Sequence, residues 1–152
     1  MPLGRVPVAP ILDRLTGKVD LLRVVESAAT LQTALKQPPS AMPAAYVVTA
    51  RGGRPQAGAS GGRLVQGVLH GLQLVLFVRN YARSDTGAGA AAEMDQLIAV
   101  CDAALLNWSP AEGFEPFVLA QTAGQDIPSS AGVLISQQLY QTKSRIQLDR
   151  NP

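Results

Sequence analysis

The sequence predicts an α+β fold: two layers, a mainly antiparallel sheet with helices packed on one face. Three observations carry that reading. Between Ala88 and Trp108, apolar residues recur at steps of three and four, the stripe of a long amphipathic helix. Residues 45–50 and 63–80 are apolar runs rich in β-branched residues, the composition of strands. The strand-like segments are joined by short links, which favours antiparallel neighbours over crossovers.

Each element has its own warrant. Ile11, Leu12 and Leu15 recur at helical spacing behind Pro10, a residue suited to a first helical turn. Leu21 to Glu26 reads as a short strand built on Leu22, Val24 and Val25. Ser27 is placed to cap a helix carrying Ala28, Leu31, Ala34 and Leu35. Pro38 and Pro39 end that helix and open a loop to Pro43. Ala45 to Ala50, AYVVTA, is a strand. Residues 52–62 hold Gly, Pro, Ala and Ser without an apolar anchor and read as a mobile loop.

Residues 63–80 form one long strand or a bent pair. Leu64, Val68, Leu72, Leu74, Leu76 and Val78 share one face, and Val65, Leu69, Val75 and Phe77 the other. Gly67 and Gly71 suggest a bulge or bend near His70. The stripe of the long helix is Met94, Leu97, Ile98, Cys101, Ala104, Leu105 and Trp108, with Glu93, Asp95, Gln96 and Asp102 off it. A loop follows from Asn107 to Pro116, then a strand from Phe117 to Thr122. Ala123 to Ser130 is a turn, Val133 to Thr142 a last strand, and Lys143 to Pro152 a polar tail expected to fray.

The chain has 152 residues, a single domain by size. Charged residues make up 16% of it, against about 25% in average soluble domains. A surface this poor in charge is either bland or covered by a partner. The apolar stretch Leu72 to Val78 is too short to span a bilayer, and the N-terminus lacks the uninterrupted apolar core of a signal peptide. The lone Cys101 excludes an intramolecular disulfide and a multi-cysteine metal site. A net charge of +2, without a Lys/Arg-rich run, is no strong nucleic-acid footprint. These features read as a soluble cytoplasmic protein.

Catalytic motifs fail on context. Gly58-Ala59-Ser60-Gly61-Gly62 matches G-x-S-x-G, but it leads into a strand, and His70 follows with no acid between. Without a base the Ser60 hydroxyl is inert, and the segment reads as a flexible Gly/Ser loop. Gly87 to Ala92 resembles a dinucleotide fingerprint, yet a link from Arg79 to Thr86 separates it from the preceding strand. It reads as a small-residue helix entry packed on the sheet. His70 and Cys101 are too few for a metal site, and Cys101 on the helix stripe reads as a core residue. The carboxylates are scattered. No enzyme, metal or cofactor is expected, and the chain reads as a binding or assembly module.

One resemblance sharpens this. VLFVRN at 75–80, a polar link with Asp85 and Gly87, a helix with Asp95 and Leu105, and the ending Asn107-Trp108-Ser109-Pro110 occur in that order. Upstream stand Pro10-Ile11-Leu12-Asp13-Arg14-Leu15 and Pro43-Ala44-Ala45-Tyr46-Val47. Over roughly residues 8 to 142 this order and spacing resembles the tail terminator (tail-completion) proteins of long-tailed bacteriophages. The motifs concern packing rather than catalysis. The chain departs from the family at Asn107, where Gly is frequent, and in a last strand without Trp.

The resemblance implies a structural virion protein of the tail and neck, built in the host cytoplasm. It implies a hexameric ring that caps the tail tube, ends its polymerisation and joins head-completion proteins, with DNA passing through the lumen without sequence specificity. A head–tail connector or tube component is the runner-up, and a small non-catalytic binding module comes third. The residues expected at subunit or tube contacts are Arg51, Arg54, Arg63, Arg83, Gln137, Tyr140, Lys143 and Arg145. Arg51, Arg54, Arg63 and Arg79 flank loops that would face the lumen, where ring symmetry multiplies a few charges into a positive collar. The plainer alternative is that these arginines are solvated loop ends.

Overall fold

The computed structural model describes residues 6–49, 53–56, 59–60, 63–79, 88–120, 125–127 and 132–149. The elements run α1 (Val8–Lys18), β1 (Val24–Ser27), α2 (Leu31–Lys36), β2 (Ala44–Thr49), β3 (Arg54–Gln56), β4 (Ala59–Ser60), β5 (Arg63–Arg79), α3 (Ala88–Leu105), β6 (Val118–Leu119), β7 (Gln125–Ile127) and β8 (Val133–Asp149). One sheet of order β1-β2-β5-β8-β6 takes in all the strands. β3 and β4 extend the β2 side of β5, and β7 lies with β6 on the outer side of β8. β1 and β2 are parallel, and every other pair is antiparallel. The α+β fold with a mainly antiparallel sheet is as expected.

The centre of the sheet is the β5–β8 ladder. All 17 residues of β5 face the 17 residues of β8 in unbroken register, from Arg63 opposite Asp149 to Arg79 opposite Val133. At the usual rise this ladder is about 55 Å long. The expected bulge near His70 is therefore absent from it. The irregularity lies on the other side of β5. Thr49 of β2 faces Leu72 and Arg54 of β3 faces Leu69, so four positions of chain separate these two pairings on one strand and two on β5. The extra positions belong to the β2–β3 chain, and among the described residues there Gly53 needs to be glycine. A Cβ there would stand 2.4 Å from Val68 Cγ1 and 2.7 Å from the Leu69 carbonyl oxygen.

Strand alternation divides the core in two. On one face Ala45, Val47, Leu72, Leu74, Leu76, Val78 and Tyr140 are buried under Ile11 and Leu15 of α1 and Met94, Leu97, Cys101 and Leu105 of α3. The predicted helix stripe is the buried one, but α3 stops at Leu105 and Trp108 lies beyond it. Asn107 holds φ 61°, a left-handed conformation that Asn tolerates better than most side chains. Arg14 ties the two helices together. Its Nε donates to the Ala104 carbonyl at 2.9 Å, and its guanidinium lies 5.2 Å from the Trp108 ring. α3 has no basic residue in its own last turn, so α1 brings a cation to its negative end.

On the other face Ala44, Tyr46, Val48, Val75, Phe77 and Ile135 pack with Ala34, Leu31 and Leu35 of α2. All the helices were expected on one face; α1 and α3 share one, and the short α2 lies on the opposite one. The reason is the parallel β1–β2 pair. Parallel neighbours need a crossover, and α2 is that crossover. Its cap is Thr30, whose Oγ1 accepts from the Thr33 amide at 3.1 Å. Ser27, expected as the cap, instead pairs with Val47 at the end of β1. Tyr46 reaches across to donate to the Gln37 carbonyl at 2.9 Å.

Three segments are more ordered in strand than their composition suggested. β3 and β4 fall within the expected loop at 52–62, and β7 within the expected turn at 123–130. β8 continues to Asp149 through the expected fraying tail. Each is a polar stretch that pairs because β5 or β8 offers it a backbone edge. Of the strand expected at 117–122, β6 covers Val118–Leu119, and 121–122 lie outside the described residues.

Gly53→Ala should lower stability by about 1–3 kcal/mol, since backbone and a branched side chain must both shift to admit the methyl. Urea unfolding followed by far-UV dichroism measures this, and Gly71→Ala, where a Cβ meets nothing within 4 Å, is the control.

Candidate assembly surface

α2 covers only part of its sheet face. Beyond it, Gln73, Gly71 and Leu69 of β5, Val48 of β2, and Leu139 and Gln141 of β8 line an open trough of about 860 Å³. The Thr30–Leu31 end of α2 closes one wall, and Gly53 and Arg54 close another. Gly71 leaves the trough floor without a side chain, and an added Cβ there would meet no neighbour.

Three of the expected contact residues meet at the outer end of this face. Arg54 pairs with Leu69, and Leu69 pairs with Lys143, so two cations flank one leucine across three strands. Their Cα atoms are thus about 10 Å apart. Arg145, one step further on the same face of β8, pairs with Gly67. All three are exposed. Arg145 Nη2 stands 3.9 Å from Glu115 Oε1, with both side chains largely in solvent, an ion pair of small worth.

The remaining candidates lie elsewhere. Arg79 is exposed at the opposite end of β5, facing Val133. Arg63 is at the first position of β5, opposite Asp149. Gln137 is half-buried beside Val75 and Gln125. Arg51 and Arg83 lie outside the described residues. Tyr140 is corrected: it is a core residue, 1% exposed, and not available to a partner. Its register opposite Leu72 turns it toward α3, where its hydroxyl donates to Asp102 at 2.5 Å. Gln138 Nε2 donates to the same carboxylate oxygen at 3.3 Å. Burial and the neighbouring Asp102 carboxylate together hold the Tyr140 hydroxyl protonated, far above its usual range.

Two further groups are settled by burial. Burial first, and Asp102 second, push the Cys101 thiol up to about 12, so it stays protonated in the core. His70 is 1% exposed under the Phe114 ring, at 5.2 Å between centroids. Its Nε2 and Ser144 Oγ form a hydrogen bond at 2.7 Å, while Nδ1 has no partner among the described residues. Burial lowers its pKa below 6.5. Among the described residues no group of three or more His, Cys, Asp or Glu is arranged to hold a metal ion, and no helix is long and apolar enough to cross a membrane.

Sequence reasoning missed the sheet edges. Leu21, Val118 and Leu119 are the exposed large apolar residues among those described. No local pattern marks them, because edge position is set by pairing. The Asp102 bonds to Tyr140 and Gln138 were also unseen, although Asp102 stood off the apolar stripe as a polar residue beside it.

Residues 1–151 match the family model described as phage tail terminator protein, a family of structural components of the phage tail. No curated protein matches the chain.

The His70 geometry has a pH consequence. The unfolded chain protonates its only histidine near 6.5, whereas the folded protein resists protonation there. The unfolded state therefore binds more protons as pH falls through that window, and stability declines from about pH 7 toward pH 5. Urea midpoints across this range should fall in the parent protein and change less in His70→Gln, whose amide can still reach Ser144.

Proposed function

The chain belongs to the phage tail terminator family, and from that membership we propose that it closes into a hexameric ring on the end of the tail tube. The ring stops tube polymerisation and presents its other face to the head-completion proteins. The observation that carries this reading is the family match across residues 1–151. The physical features support it. A charge content of 16% suits a subunit enclosed by neighbours. The open trough beyond α2 and the long β5–β8 ladder supply surface that the subunit's own helices leave uncovered. DNA passing through the lumen would be met at its backbone phosphates without sequence specificity, and Arg54, exposed on β3 with Arg51 and Arg63 close to it in sequence, is suited to line it.

The mass of the purified protein in solution, with and without tail tubes, tests the ring. A six-subunit mass alone or on tubes, with tubes that no longer elongate, is the expected result. A chain that stays monomeric and never binds tubes would overturn it, and self-assembly into long cylinders would instead identify a tube component. For the lumen, Arg51→Gln, Arg54→Gln and Arg63→Gln combined should weaken DNA retention and leave the ring intact. Loss of the ring in that variant would refute a lumen role for these arginines.

A further inference from the structure

We propose that neighbouring copies of this chain meet edge to edge, the β6 flank of one subunit against the β1 flank of the next. This assignment rests on the ring reading above and states which surfaces close the ring. Its starting point is where the exposed apolar side chains fall. Leu21 is 39% exposed, Val118 51% and Leu119 39%. Single exposed apolar residues scattered over a surface need no explanation. These are not scattered. Leu21 lies just ahead of β1, the strand at one end of the sheet order, and Val118 and Leu119 are β6, at the other end.

That distribution matches one kind of assembly. A two-fold dimer uses a single self-complementary patch, whereas a closed ring uses two different patches that fit each other from opposite flanks. β1 is an open strand edge, and the β6 edge is open from Val118 on, since the backbone N–H and C=O of Phe117 are taken by Trp108 and Asn107. Among the described residues β1 pairs only with β2, and β6 only with β8. An unpaired edge presents backbone donors and acceptors to another chain. The charges around each apolar centre complement one another. Val118 shares a small cleft with Pro116, Lys143 and Glu115. Leu21 stands between Asp20 and Arg23, both exposed, with Glu26 exposed on β1. Lys143 can thus face Asp20 or Glu26, and Glu115 can face Arg23, around a contact of Val118 and Leu119 on Leu21. An apolar centre inside a charged rim is the ordinary build of a protein interface.

Cross-linking decides it, because the native Cys101 is buried and leaves the surface free of thiols among the described residues. Leu21→Cys and Val118→Cys are made singly, mixed and oxidised in the presence of tail tubes. The mixture should give a disulfide-linked dimer that neither variant gives alone, and the double variant should give a covalent ladder ending at the ring. Val118→Asp with Leu119→Asp should shift the ring to monomer mass with an unchanged far-UV dichroism spectrum. A ring of native mass that yields no cross-link overturns the edge assignment and leaves the ring reading standing. So does a self-dimer of Val118→Cys alone, which marks a two-fold contact. A protein that is monomeric with and without tubes overturns the ring reading itself.

Discussion

The unbroken pairing of β5 with β8 is the constraint on which the rest of the structure depends. Side chains alternate across a sheet, so one register decides which half of the residues on both strands is buried under α1 and α3. Leu72, Leu74 and Leu76 therefore share their face with Tyr140, Gln138 and Ser136. A slip of β8 by one residue would send Tyr140 to the trough side and Lys143 toward Phe114. The ladder also runs past the helices. Its outer end is clothed by β3 and β4 rather than by a helix, which is why polar segments with little apolar content adopt strand there.

The two faces of that ladder serve different ends. The helix side is closed and carries polar contacts that are paired: Tyr140 and Gln138 on Asp102, Thr142 on the Glu115 carbonyl, His70 on Ser144. Such pairs are costly to leave half made, and they tie α3, the loop after it and β5 to β8. Among the described residues the other side is closed where α2 crosses between β1 and β2. Its remainder is half-apolar floor with cations at one end. For a structural component of a phage tail, this asymmetry leaves one face closed by the subunit's own long helices and the other with surface that they do not cover.

The departures from expectation share one origin. Thr30 rather than Ser27 caps α2 because the last residue of β1 is committed to Val47. The bulge expected in β5 near His70 is absent from its ladder with β8, and the irregularity lies in the chain opposite, where Gly53 crosses close to Val68. The family resemblance singled out Asn107 as unusual, and its φ of 61° explains why a glycine-favouring position accepts it. In each case the local signal was sound, and a long-range partner reassigned it by one strand or a few residues.

The sequence by itself determined the class of fold, the long helix with its buried stripe, the extended strand from Arg63, and the phage-tail character of the chain. Those rest on periodicity and order along the chain, which are local properties. The tertiary structure alone decided that α2 lies opposite the other helices, that Tyr140 is core while Lys143 and Arg145 are surface, and which apolar residues end at open edges. Those depend on which strand neighbours which and in what register, and a strand's own residues do not encode the side on which its partner arrives.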